Sequence, residues 1–157
     1  MQLFRRILVP HDFSAHATRA LTVAADLARE HRGRLIVLHV VTPFHPVTGF
    51  PEDGAVVIPE LDDVLTGERD RLEALVRRTL GRMKVRVECH VTIGDPFHRI
   101  VDTARRADAI VMATAGRTGL SRLVIGSVAE KVVRHARVPV LTVRPAPARA
   151  ASRRARR

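Results

Sequence analysis

Apolar residues recur along this chain in two rhythms that take turns from one end to the other. Arg6-Ile7-Leu8-Val9-Pro10 is a short apolar run and reads as a first strand. Ser14 follows as a candidate N-cap. Ala17, Ala20, Leu21, Ala24, Ala25 and Ala28 then fall at helical spacing, and Gly33 is expected to end this helix at its C′ position. Leu35 to Val41 is almost unbroken apolar sequence, the pattern of a central parallel strand covered on both faces.

The segment 42–60 carries Pro43, Pro46, Gly49, Pro51, Gly54 and Pro59 and reads as a long loop. Leu61, Leu65, Leu72, Leu75, Val76 and Leu80 mark a second helix. Val85, Val87, Cys89, Val91 and Ile93 alternate with Lys84, Arg86, Glu88, His90 and Thr92, so this third strand has one wet face and belongs at a sheet edge. Asp95-Pro96 has the form of an N-cap with proline at the first helical position, and Phe97, Ile100, Val101 and Ala104 predict the inner face of a third helix. Ala109 to Met112 reads as a fourth strand and Ser127 to His135 as a fourth helix, with Val128, Val132 and Val133 expected inward. Val138 to Val143 completes the series as a fifth strand.

Strands alternating with helices predict an α/β fold: a single-domain, open, parallel five-stranded sheet in the order 3-2-1-4-5, with helices on both faces. Residues 1–143 form the expected α/β domain, and 144–157 read as a basic, disordered tail.

Composition narrows the classes. The 157 residues are 46% hydrophobic, enough for one real core. Trp and Tyr are absent, which nearly removes aromatic base-stacking as a mode of action. Cys89 is the only cysteine, so no internal disulfide forms, and as an apolar-face residue it reads as core rather than nucleophile. No apolar stretch approaches the roughly 20 residues of a membrane span, and the N-terminus does not read as a signal peptide, so no membrane role and a cytoplasmic location are expected. The net charge is +11, and six arginines without one acid lie between Arg144 and Arg157. That tail is a candidate contact for nucleic acid or another acidic surface, although a solvated appendage is the plainer reading.

In an open parallel sheet, ligands sit beyond the carboxyl ends of the strands, where strand order reverses. After the first strand comes Pro10-His11-Asp12-Phe13-Ser14. Asp12 can accept hydrogen bonds from ribose hydroxyls or adenine nitrogens, or else order the turn. His11 and His16 are expected at the surface or in capping roles, and the eight histidines form no recognisable metal motif. After the fourth strand the segment from Ala113 to Ser127 holds glycines, hydroxyl residues, Arg117 and Arg122, and no acid. Gly126-Ser127 opens a helix whose N-terminus favours an anion, so the segment suits a polyphosphate. Otherwise it is a plain glycine-rich connection with Ser127 as N-cap. No Gly-Lys-Ser/Thr follows it, so it is not a Walker loop.

At these residues the chain resembles the universal stress protein family, from about Phe4 to Val143. The resemblance rests on Ile7 to Ser14, on Val37-Leu38-His39-Val40, on Gly94-Asp95-Pro96, and most of all on Gly116 to Arg122, Gly126 to Ala129 and Val138 to Val143. Gly116, nine further residues, Gly126 and Ser127 match the pattern of the ATP-binding branch. The first glycine of that pattern is Ala113 here, and Ala115 stands where histidine is frequent.

The resemblance implies an ATP-binding stress-response or regulatory protein, with magnesium accompanying the nucleotide and at most slow hydrolysis. It implies that Pro10, His11 and Asp12, with the Val40 backbone, face adenine and ribose. It implies that Ala113, Thr114, Ala115, Gly116, Arg117, Thr118 and Gly119, with Gly126, Ser127, Val128 and Ala129, wrap the phosphates. It also implies a homodimer through strand 138–143. Ala113 keeps a second reading open, a dimeric stress protein that binds no nucleotide, and the arginine tail a third, nucleic-acid contact.

Overall fold

The computed structural model describes residues 4–42, 61–114 and 126–144. The elements are β1 (Arg6–Pro10), α1 (Ala15–Glu30), β2 (Arg34–Val41), α2 (Leu61–Leu80), β3 (Arg86–Ile93), α3 (Pro96–Ala104), β4 (Ala109–Ala113), α4 (Ser127–His135) and β5 (Val140–Val143). All five strands run parallel in the order β3-β2-β1-β4-β5, as the alternation of elements predicts. β1 therefore lies between β2 and β4, and the strand order reverses there.

The period-two alternation of the strands divides the core in two. Ile7 and Val9 of β1, Leu35 and Val37 of β2 and Val111 of β4 face α1 and α2, against Ala20, Leu21, Ala24, Leu72, Leu75 and Val76. Leu8, Ile36, Leu38, Ile110 and Met112 face the other way, against Ile100 and Ala104 of α3 and Ala129 and Val132 of α4. The alanine face of α1 keeps that helix close to the sheet: Ala17, Ala20, Ala24, Ala25 and Ala28 are all buried. At the opposite end of the strands from the candidate site, Arg6 closes a forked pair on Asp108, with Nη2 2.9 Å and Nε 3.3 Å from Oδ1, tying the starts of β1 and β4.

β3 is an edge strand, as expected: Val85, Val87, Cys89 and Val91 pack on the α2 side, while Arg86, Glu88 and His90 look outward. Asp95 caps α3 through the His98 N–H at 3.0 Å, with Pro96 in the first turn.

Three expectations are corrected. Gly33 is not at C′ of α1. His31 is the C-cap, Arg32 takes the left-handed position with φ 51°, and Gly33 follows it. The Arg32 N–H reaches Arg29 O at 3.3 Å and the Gly33 N–H reaches Ala28 O at 2.7 Å, the paired bonds of a Schellman ending. Glycine is needed at 33 for space, because a Cβ there would collide with the Phe4 carbonyl oxygen and lie 2.9 Å from that of Arg5. Val133 is 48% exposed; Ala129 and Val132, one turn apart, carry the buried stripe of α4 instead. β5 begins at Val140, two residues later than the apolar run suggests.

Candidate functional site

The sheet order brings the carboxyl ends of β1, β2 and β4 together, which is where Pro10, His11, Asp12, Val40, Ala113 and Thr114 lie. Asp12 orders the turn after β1, its Oδ1 accepting the Ser14 N–H at 3.0 Å. Ser14 in turn caps α1 by accepting the Ala17 N–H at 3.0 Å. The turn-ordering role of Asp12 is thus real, and any ligand contact comes in addition to it.

His11 is buried, contrary to the expected surface position, because it continues the inward parity of Ile7 and Val9. Its main chain is pinned to β2: its N–H donates to Leu38 O at 2.8 Å and its carbonyl accepts from His39 Nδ1 at 2.8 Å. Its ring is used inside the protein. Nδ1 accepts the Phe13 N–H at 3.0 Å, so the ring proton sits on Nε2, 3.3 Å from Thr18 Oγ1. Thr18 Oγ1 passes its own proton to Ser14 O at 3.0 Å. Burial first, and the neighbouring His39 second, push the His11 pKa down from 6.5 to about 4, against the opposing pull of Asp12.

The second wall of this turn was not read from the sequence. Phe13 stands at φ 64°, in the left-handed region, with its ring 4.5 Å from that of the buried His39. The Arg71 guanidinium of α2 lies 4.0 Å from the Phe13 ring centroid. Glu68, one turn before Arg71, faces Arg71 Nη1 at 3.5 Å and His39 Nε2 at 3.8 Å. A histidine inside the apolar run of β2 was the one available signal, since Leu35, Val37 and His39 share a parity.

Beside β1, β4 ends at Ala113, whose backbone is extended and paired in register with Val143, so its methyl group strains nothing. Thr114 is buried, its N–H held by Val143 O at 3.1 Å. The Gly126 N–H donates to Thr114 O at 2.7 Å, so the two residues that flank segment 115–125 are joined by one hydrogen bond. Gly126, not Ser127, is the N-cap of α4, and it brings no side chain to the N–H groups of the first turn. Its φ is an ordinary −60°, and among the described residues a Cβ there would meet only Thr114 O, at 3.4 Å. Neither the backbone nor the described packing demands glycine there. Ala115, Gly116, Arg117, Thr118 and Gly119 lie outside the described residues, as does Arg122. Among the described residues no group of three or more His, Cys, Asp or Glu could hold a metal ion, and no helix is long and apolar enough to cross a membrane.

Fold and site together define a doubly wound α/β protein with a glycine-headed helix at its switch point. The sequence pattern of the universal stress protein family matches residues 3–144, and the chain belongs to that family. A universal stress protein of Thermus aquaticus is 34% identical over 144 residues, covering 90% of this chain and all of the relative. The solved structure of the universal stress protein UspA from Lactobacillus plantarum superposes with a TM-score of 0.69 at 27% identity, over 90% of this chain and 99% of that one. A universal stress protein from Archaeoglobus fulgidus, solved in complex with dAMP, shares the fold with a TM-score of 0.58 at 24% identity, over 90% of this chain and 98% of that one.

Proposed function

We propose that this chain is an ATP-binding regulatory protein whose nucleotide lies between the ends of β1 and β4. The observation that supports this most is the neighbourhood of Asp12, at the end of β1, and the Gly126-headed N-terminus of α4, hydrogen-bonded to Thr114 at the end of adjacent β4. A helix N-terminus without a side-chain cap offers N–H groups and a partial positive charge to phosphate oxygens. Asp12, with the Pro10 and Val40 main chain, is assigned to ribose and adenine, and Ala113 to Gly119 with Gly126 to Ala129 to the phosphates. That a protein of this fold has been solved with dAMP supports the adenine part of the reading.

When bound, the triphosphate supplies a phosphoanhydride bond. The chain has no acid from Ala113 to Ser127 to position water there, so hydrolysis is slow at most. Magnesium is proposed as the counter-ion of the triphosphate. The site of action is the cytoplasm, and the assembly a homodimer across the free edge of β5.

Calorimetric titration of the purified chain with Mg-ATP tests this. Saturable binding that weakens in Asp12→Ala and Gly126→Val is expected. A fully folded chain that takes up no nucleotide overturns the reading in favour of a non-binding dimeric stress protein, which Ala113, in the place of the pattern's first glycine, favours.

A further inference from the structure

We infer that Arg71 of α2 is a positioning residue for the candidate site, pressing Phe13 into its left-handed turn and so fixing the place of Asp12. The inference rests on the nucleotide reading for the role of Asp12, and on contacts within the chain for the rest.

A non-glycine residue at φ 64° persists only where its surroundings hold it. Besides its packing on the apolar cluster between the sheet and α1 and α2, four polar or ring contacts hold Phe13. Its N–H is bound to His11 Nδ1 at 3.0 Å. Its ring meets the His11 ring edge-on at 5.8 Å and lies tilted against that of His39 at 4.5 Å. The outer ring face is covered by Arg71 at 4.0 Å. Both histidines are buried, His39 within β2 and His11 directly after β1, so three of these four contacts are fixed with the scaffold. Arg71 is the exception. It comes from α2, is 57% exposed along its side chain, and is steadied by Glu68 at 3.5 Å. Glu68 also lies 3.8 Å from His39, so the same two side chains of α2 brace both the ring and the histidine beneath it.

Asp12 sits between two residues fixed in this way: His11, bound to β2 through its N–H and its carbonyl, and Phe13. Its carboxylate direction follows from the backbone of the turn, and Oδ1 is already committed to the Ser14 N–H. Releasing the ring lets φ of Phe13 relax, which rotates the peptide joining Asp12 to Phe13 and shifts the carboxylate with it. Leu72, Leu75 and Val76 of α2 belong to the apolar cluster on which Phe13 packs, and Arg71 is the charged side chain that this helix lays over the ring. α2 therefore holds a surface-accessible grip on a site built from other elements.

The test titrates Mg-ATP into the full chain and three variants. Arg71→Ala is expected to lose about three- to tenfold in affinity, the range a single cation–π contact at a partly exposed site can carry. Arg71→Lys recovers most of it, since an ammonium also sits on the ring. Arg78→Ala, which removes an equal charge from the same helix, stays within about twofold of the parent. Melting midpoints of all four proteins agree within about 5 °C, because Arg71 is too exposed to carry the fold. Parent-like affinity in Arg71→Ala overturns the inference, and so does an equal loss in Arg71→Ala and Arg78→Ala, which marks simple charge attraction. If the parent itself binds no Mg-ATP, the nucleotide reading fails instead. The turn is then read directly from the backbone NMR shifts of Asp12 and Phe13. Movement in Arg71→Ala but not in Arg78→Ala upholds the positioning role, and no movement in either overturns it.

Discussion

At the scale of single residues, His11 shows what happens when a titratable ring takes the place of a core side chain. Its Nδ1 must stay unprotonated to accept the Phe13 N–H, and burial resists the charge. The folded chain therefore binds this proton only near pH 4, while the unfolded chain binds it near 6.5. Between those values the unfolded state holds more protons, so stability is full above about 6.5 and falls as the pH drops towards about 4. The loss attributable to His11 reaches about 3 kcal/mol. Urea midpoints measured across this window should slope downward in the parent and more shallowly in His11→Asn, whose Oδ1 can replace Nδ1 as acceptor without titrating. Ala113 is the opposite case, a residue whose substitution should matter little. Its extended backbone gives glycine no conformational advantage. Ala113→Gly is expected to lower stability by about 0.5–1 kcal/mol and to raise Mg-ATP affinity by less than tenfold. A larger gain in the titration would mean that the methyl group itself obstructs the phosphates.

At the scale of elements, the period of apolar residues was enough to read the strands and the helices, while their order followed from the doubly wound arrangement rather than from the period. It failed where identity and position diverge. Val133 is apolar but lies one residue past Val132, about 100° around the helix, and so turns outward. Gly33 looked like the left-handed residue of the helix ending, yet Arg32 adopts that conformation and Gly33 clears space for the backbone of residues 4 and 5. Gly33→Ala is thus expected to destabilise by about 1–3 kcal/mol, seen as a lowered melting midpoint, through a clash with carbonyl oxygens that cannot swing aside. The candidate site was legible to the extent that it follows strand ends. Its supports, Phe13 on Arg71 and His39 by Glu68, join residues far apart in sequence, and no local pattern announces such pairs.

At the scale of the whole molecule, the two sheet edges differ. β3 presents Arg86, Glu88 and His90 to water, whereas β5 leaves Leu141 40% exposed. Pro139 and Val143 direct their carbonyls at β4, so by alternation Val140 and Thr142 aim theirs at the free edge. Light scattering should report a dimer at micromolar concentration. Thr142→Pro, which removes an outward N–H while sparing the β4 ladder, should shift it to monomer; a variant that stays dimeric excludes this edge as the interface. The Thr114–Gly126 bond has a further consequence for how such a protein can change over time. Because the two ends of segment 115–125 meet at one fixed point, lengthening it disturbs neither β4 nor α4. Doubling the length of a segment whose ends are held together costs only about 0.6 kcal/mol in closure entropy. A change of length there is therefore expected to leave the sheet and α4 in place, anchored by the Thr114–Gly126 bond.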